Sequence, residues 1–258
     1  MINLVAPLLL VALTTTTMSS SSSSSSMNYV TFISTICGKL KDIKRTGWVR
    51  SGVPLPESDA DHMHRCAMCA MLLFQDDETE NEDSIYHSSK VDKNKLLRMT
   101  VSHDLCESLA GDITPHCGAV LLSNKEAKEQ AAMEEIRKIV GDPLGKELFD
   151  LWREYEDQIS VEAIYCKDID KFEMVVQAFE YESKHLLPKE NADDSKKDVF
   201  NAPLAGFFTS TNAAIKTPLF QRLDRELRDR REAMLLEKGW HVSDEERQQV
   251  VVVLLPNK

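Results

Sequence analysis

Glycine and proline are scarce here, nine of each in 258 residues. Together with long stretches rich in Leu, Met, Glu and Lys, that scarcity favours helices over sheets. The chain has no internal repeat, which removes solenoid architectures. It has no Gly-rich phosphate loop and no GxSxG, which removes P-loop and nucleophile-elbow chemistry. Basic residues are not in excess: the formal net charge is -11. A long nucleic-acid polymer is therefore not an expected partner, because such binding needs a basic face to displace counterions. A small anionic substrate stays open if a metal and a few basic residues build a local positive site. No charge precedes Lys39. The apolar run Ile2 to Leu13 therefore lacks the basic flank of a secretory signal and the arginines of a transit peptide. It is also too short to span a bilayer comfortably.

Residues 1–26, which include a Thr and Ser tract, are expected to be a disordered leader, a poor targeting segment, or an upstream extension before a start at Met27 or Met18. A folded domain is expected over 27–240 and a C-terminal tail over 241–258. No membrane association is expected. A cytoplasmic location is, with targeting by residues 1–26 left open. The six cysteines lie mostly beside apolar residues, as in a reduced intracellular protein that uses thiols as small hydrophobes. Cys66-x-x-Cys69 has no second pair to complete a metal site and falls within a helical pattern, so it is read as structural.

What the chain does have is His103-Asp104, inside an apolar stretch from Leu96 to Leu109. Adjacent His and Asp offer an imidazole nitrogen and a carboxylate oxygen to one point. That donor set suits a divalent cation of the Mn, Fe, Co, Zn or Mg type. Two outlying partners, His62 and Asp170, lie on helices of their own. Ser58-Asp59-Ala60-Asp61 has the form of a capping box, opening a helix to about Phe74 with a stripe of Met63, Ala67, Ala70, Met71 and Phe74. His62 falls in its first turn. A helix from Asp92 to Ala110, apolar almost all round, carries His103, Asp104 and Glu107, which are close enough in sequence to share a face. Buried charge there needs a partner. Gly111 ends that helix. Further helices are predicted over Tyr29 to Lys44, Asn124 to Val140, Pro143 to Tyr155, Val161 to Lys184 with Asp170 in its middle, and Pro218 to Lys238, the last highly charged and solvent-facing. Arg45-Thr46-Gly47-Trp48 breaks the first of these.

Helical bundles build metal sites from facing helices in this way. Two His and two Asp would leave open positions for water and a substrate oxygen, with Glu107 placed to orient the water or to act as general acid or base. Singly, each residue has a plainer role. His62 is then a first-turn histidine, Asp170 a partner for Lys167 or Lys171, and Asp112 a turn residue. His64 is expected to be exposed. Jointly, four potential ligands on three helices favour a metal site.

The blocks Arg45-Thr46-Gly47-Trp48-Val49, Pro56-Glu57-Ser58-Asp59-Ala60-Asp61-His62-Met63, Val101-Ser102-His103-Asp104-Leu105-Cys106-Glu107, Gly111-Asp112-Ile113-Thr114-Pro115 and Lys167-Asp168-Ile169-Asp170-Lys171-Phe172-Glu173-Met174 stand in one order. In that order they resemble the HD-domain 5′-deoxynucleotidases over about residues 29–235. The resemblance implies an all-α HD-domain helical bundle with the metal site between helices, a homodimer, and hydrolysis of deoxynucleoside 5′-monophosphates to deoxynucleoside and phosphate. It implies a cation (Mn, Co or Mg) on His62, His103, Asp104 and Asp170, with Glu107 as catalytic carboxylate. A second cation on Glu107, Asp112 and the backbone of Ile113 is implied by some members. Arg45 would orient the phosphate, and Trp48 and Asp112 would border the sugar. The chain departs from the family at His116 to Leu122, which is longer and apolar, and it lacks an Arg pair in Lys125 to Gln130. That leaves the pocket wall and base preference open, with His116 read as a loop residue. Cyclic nucleotides, dNTPs and (p)ppGpp-like molecules stay open as substrates, as does a scaffold with a vestigial site.

Overall fold

The computed structural model describes residues 24–74, 84–114, 124–193, 200 and 202–247. The leader up to residue 23, the segment from Pro115 through Leu122 and the apolar stretch Val250 to Leu255 lie outside them. Among the described residues there is no strand, only one isolated antiparallel bridge between Lys44 and Ser58. The helices are α1 (Ser24–Thr31), a π-helical segment (Phe32–Cys37), α2 (Gly38–Leu40), α3 (Thr46–Arg50), α4 (Asp59–Met71), α5 (Lys93–Thr100) and α6 (Glu107–Ala110). They continue as α7 (Lys125–Val140), α8 (Leu144–Asp157), α9 (Val161–His185), α10 (Ala205–Ser210), α11 (Pro218–Glu237) and α12 (Asp244–Arg247). No helix among these residues is long and apolar enough to cross a membrane.

The fold is organised by α9. It buries Ala163, Tyr165, Cys166, Ile169, Phe172, Val175 and Ala178, and α4, α5, α8, α10 and α11 all pack on it. A second cluster, with Ile36, Leu40, Met63, Leu105, Cys106, Met133, Ile136 and Trp152, joins the N-terminal helical segment to α6, α7 and α8. Cys66 and Met99 belong to the α9 cluster, Met63 and Leu105 to the other. The boundary between the two cores therefore runs through α4 and the α5–α6 connection, where the metal-type residues lie.

Several local rules hold. Ser58 and Asp61 close the capping box: the Ser58 hydroxyl accepts from Asp61 N–H, and the Asp61 carboxylate accepts from Ser58 N–H. Gly111 adopts φ +79 and donates its N–H to Glu107 O at 2.7 Å, ending α6 in a conformation costly for a side-chain-bearing residue.

Four expectations need correction. The N-terminal helix starts before Tyr29, passes through a π-helical segment and ends near Leu40, and Thr46–Arg50 is itself a short helix. Helix α4 ends at Met71, which is exposed; Cys66 on α4 and Leu73 on the 3-10 turn that follows take buried positions instead. The helix from Asp92 to Ala110 is broken after Thr100. Val101 to Cys106 form turns in which Ser102, Leu105 and Glu107 donate to carbonyls three residues back. Polar side chains favour the break. The hydroxyls of Thr100 and Ser102 donate to the carbonyls of Leu97 and Arg98, and His103 Nδ1 donates to Thr100 O. Finally, α11 is not a solvent-facing helix: Phe220, Asp224, Arg231 and Leu235 are buried.

Arg231 explains that burial. It is 2% exposed and donates Nε and Nη2 to the two oxygens of Glu182 at 2.7 and 2.9 Å, and Nη1 to Glu246 at 2.8 Å. Phe208 covers its guanidinium face at 3.8 Å. The residues after 240 are thus tied to the domain as far as Arg247. Removing the cation strands two buried carboxylates. Arg231→Met is expected to cost about 3–5 kcal/mol of unfolding free energy, measured by urea denaturation. A loss below about 1 kcal/mol, the range of exposed ion pairs, would show that the network contributes little.

Candidate metal centre

Four side chains from three parts of the chain converge at the boundary between the cores. His62 stands on the first turn of α4, His103 and Asp104 on the turns after α5, and Asp170 midway along α9. His62 Nε2 lies 3.4 Å from Asp170 Oδ1 and 3.7 Å from Asp104 Oδ2. His103 Nε2 lies 3.3 Å from Asp104 Oδ2, and the two imidazole centroids are 5.4 Å apart. The structure thus brings together all four residues singled out in the sequence.

Each is held by a specific partner. His103 Nδ1–H donates to Thr100 O at 3.0 Å, which leaves the lone pair on Nε2. His62 Nδ1 contacts Glu173. Asp170 Oδ2 accepts from the Tyr155 hydroxyl at 2.8 Å and lies 3.3 Å from Lys167 Nζ. The plain pairing of Asp170 with Lys167 therefore coexists with its place in the cluster. His64 is exposed, as expected.

Arg45 enters this cluster from the segment before α3. The Lys44–Ser58 bridge places it there, through Arg45 N–H to Glu57 O and Asp59 N–H to Ile43 O. Its Nη1 donates to Asp104 Oδ2 at 3.1 Å and lies 3.8 Å from Glu107 Oε2 and 4.0 Å from Asp59 Oδ1. Its Nη2 is 3.9 Å from Asp170 Oδ1. One guanidinium thus faces four carboxylates.

The donor set fits a divalent cation. His103 Nε2, Glu107 Oε2 and both oxygens of Asp59 are buried without a hydrogen-bond partner among the described residues, against the rule that buried polar atoms are satisfied. Burial, with Asp104 adjacent, holds the Glu107 carboxyl well above the usual carboxylate range. Burial likewise pushes Asp59 up to about 7, against Arg45 and with a contribution from Asp104. Asp104 and Asp170 go the other way. Burial opposes their ionisation, but His103 and Arg45 hold Asp104 low, and Lys167 and His62 hold Asp170 low. Ionised carboxylates are the form in which Asp binds metal. Burial and Arg45 oppose charge on His62, but Cys66 and Glu173 hold it well above the usual imidazole range, so a cation binding there would displace a proton. The Cys66 sulfur lies 3.6 Å from His62 Nε2. Burial pushes its thiol up to about 12, and its sulfur lies close to the nitrogens of His62 and His103 as a third donor.

The remaining expected residues lie around this centre. Asp112 ties the end of α6 to the start of α3: its Oδ2 accepts from Thr46 N–H at 2.5 Å and its carbonyl from the Thr46 hydroxyl at 2.9 Å. Ile113 is buried. Trp48 is 2% exposed, donates Nε1–H to Glu57 Oε1 at 2.9 Å, and is overlaid by Phe207 with centroids 4.2 Å apart. Arg45, Trp48 and Asp112 line one cavity of about 1270 Å³ with Met174, Gly206 and Phe207.

Sequence reasoning missed Asp59, Tyr155, Glu173 and Phe207. For Glu173 a signal existed, a carboxylate three residues past Asp170 on a buried helix. Asp59 was masked by its place between the two capping-box residues Ser58 and Asp61, and Phe207 carries no mark of its position in the sequence.

Comparison with known proteins agrees with this geometry. Residues 37–206 match the HD domain family. A 5′-deoxynucleotidase of Dictyostelium discoideum is 44% identical over 201 residues, covering 78% of this chain and 96% of that protein. A human 5′-deoxynucleotidase is 37% identical over 170 residues, 65% of this chain and 76% of that protein. Among solved structures, a protein from Pyrococcus horikoshii superposes with TM-score 0.54 at 25% identity, covering 75% of this chain and 94% of that one. A predicted metal-dependent phosphohydrolase from Magnetospirillum magnetotacticum shares the fold with TM-score 0.57 at 24% identity, covering 85% and 97%. The chain belongs to the HD domain family and, within it, to the group of the 5′-deoxynucleotidases.

Proposed function

We propose that this protein is a metal-dependent 5′-deoxynucleotidase, which hydrolyses deoxynucleoside 5′-monophosphates to deoxynucleoside and phosphate. The observation that carries the proposal is the convergence of His62, His103, Asp104 and Asp170 on one point beside Arg45, next to a cavity lined by Arg45, Trp48 and Asp112. The names of the relatives support the substrate class. Mn, Co or Mg as the cation, and a homodimeric assembly, enter the proposal from the family resemblance.

A divalent cation on these four ligands would supply Lewis-acid polarisation of the phosphoryl group and a nucleophile at neutral pH. The chain's own residues do the rest. Arg45 is, among the described residues, the guanidinium that faces these carboxylates, and a planar fork of N–H donors suits two phosphate oxygens at once. With substrate bound it would exchange its contact with Asp104 for the phosphate. Glu107, with Oε2 free of donors and 3.8 Å from Arg45, would move the proton. As a water oxygen bonds to phosphorus and the bond from phosphorus to the 5′-oxygen breaks, a proton leaves the water and another reaches the departing 5′-oxygen. A second cation on Glu107, Asp112 and the Ile113 carbonyl is part of the same proposal, with Asp112 held near α3 by Thr46.

Sugar selectivity follows from the fixed wall. Asp112, pinned by Thr46, and Trp48, pinned by Glu57 and Phe207, cannot yield easily to an extra hydroxyl. Fixed polar walls discriminate more strongly than apolar ones.

Two outcomes test the proposal. Phosphate release should show a higher kcat/KM for dAMP than for AMP and for dUMP than for UMP. Equal values in both pairs would remove the deoxynucleotidase assignment and leave a metal phosphohydrolase of another specificity. Glu107→Gln, measured under saturating metal, should lower kcat by roughly 10²-fold or more with metal still bound at the four-ligand site. A near-normal kcat would remove Glu107 from proton transfer.

A further inference from the structure

His62 presents Nε2 toward Asp104 and Asp170, and its other ring nitrogen is not free. Nδ1 makes a short contact with Glu173 Oε2, and both residues are fully buried. Glu173 is itself clamped. Arg65 donates Nε–H to Glu173 Oε1 at 2.8 Å, and its Nη2 lies 2.6 Å from the same oxygen. Arg65 is fixed in turn by Glu180 at 2.9 Å and by Gln177.

We propose that Glu173 is a positioning residue for the metal centre: its carboxylate, locked in place by Arg65, keeps the His62 proton on Nδ1 and so keeps the lone pair of Nε2 directed at the cation. The inference rests on the metal-dependent reading above and adds to it a residue that touches neither metal nor substrate. An ionised carboxylate can only accept hydrogen bonds, so the single proton of a neutral imidazole must sit on the nitrogen facing it. A carboxylate behind a metal-binding histidine fixes ring orientation and raises ligand basicity. Each imidazole of the site then has its own anchor, Glu173 for His62 and the Thr100 carbonyl for His103.

Glu57, His62 and Glu173 lie close enough together to suggest a separate cation site. The donors around them argue otherwise. Trp48 Nε1–H occupies Glu57 Oε1, Arg65 is 3.7 Å from Glu57 Oε2, and Arg65 also holds Glu173. A guanidinium already supplies the positive charge a second ion would bring. A purely structural salt bridge is the remaining alternative, and the conservative substitution separates the two. In Glu173→Gln the side chain keeps its shape but has one acceptor oxygen and one donor amide. If the oxygen faces Arg65, the amide faces Nδ1 and forces the proton to Nε2. If the oxygen faces His62, the amide opposes the N–H of Arg65. Removing Arg65 relieves that conflict.

The experiment is a titration of metal-stripped full-length protein with Mn(II), following free Mn(II) by electron paramagnetic resonance. Glu173→Gln is expected to bind roughly 10- to 100-fold more weakly than wild type. The double variant Arg65→Met/Glu173→Gln should bind more tightly than Glu173→Gln alone. Glu180→Gln, which touches Arg65 but not His62, should bind as wild type does. Binding by a folded Glu173→Gln within about twofold of wild type, where a tautomer role calls for tenfold or more, overturns the proposal. So does a double variant no tighter than the single one, since the loss would then be one of packing. Should Glu173→Gln not fold, long-range proton–nitrogen NMR of the metal-stripped wild type, at a pH where His62 carries a single proton, decides. A proton on His62 Nδ1 supports the assignment, and one on Nε2 overturns it. If the wild type binds no Mn(II), the metal reading itself fails and takes this inference with it. If the wild type binds and Glu173→Gln binds equally, only the role of Glu173 falls.

Discussion

Four carboxylates, Asp59, Asp104, Glu107 and Asp170, surround one guanidinium and two imidazoles at the boundary between the two cores. Mutual repulsion of unit charges 4 Å apart is roughly 4 kcal/mol at an effective dielectric of 20, and burial adds a desolvation cost. Such a cluster persists only with compensating positive charge. The chain meets part of that demand with Arg45 and Lys167, and burial among like charges raises the Glu107 and Asp59 carboxyls above the usual carboxylate range. A divalent cation is the counter-charge that suits the remaining donors, because two of them are imidazoles that a monovalent ammonium or guanidinium would not need.

The scaffold is explained by that demand. The long helix α9 carries Asp170 with Lys167 one turn before it and Glu173 one turn after it, so a single buried helix delivers a candidate ligand, its charge partner and the carboxylate behind His62. Helix α4 answers with His62 at its start and Arg65 on its next turn. Tyr155 on α8 donates to Asp170, and its ring meets His103 edge-on at 5.1 Å. The backbone between α5 and α6 leaves the α-helical path at His103-Asp104, where the side chains of Ser102 and His103 take up the Arg98 and Thr100 carbonyls that a continuous helix would have used. Charge compensation recurs far from the site, in the Arg231 pairing that anchors α12. The same logic therefore serves stability in one place and chemistry in the other.

Much of this was legible in the sequence because it is local. The capping box at Ser58, the stop at Gly111 and the span of α9 follow from side-chain chemistry within a few residues. The four metal-type residues were legible because imidazole and carboxylate groups inside apolar stretches have few other reasons to be there. What was not legible depends on contacts between distant segments. The break after Thr100 interrupts an apolar pattern that any periodicity argument reads as one helix. The burial of α11 depends on Glu182 and Glu246, far away in the chain, so its charges looked like a solvated face. Arg45 reaches the centre through a bridge between Lys44 and Ser58. Glu173 looks like any helix-surface glutamate until α4 is packed against it. The pocket wall expected to set base preference lies among residues 115–123, outside the described residues.

The central claim is that the four convergent side chains hold a cation. The most direct measurement is an anomalous difference map from crystals of this protein grown with Mn(II), recorded above the manganese edge. The account predicts its strongest peak at bonding distance from one nitrogen each of His62 and His103 and one oxygen each of Asp104 and Asp170. A map with no peak at that point, or with manganese bound only elsewhere on the molecule, would contradict it.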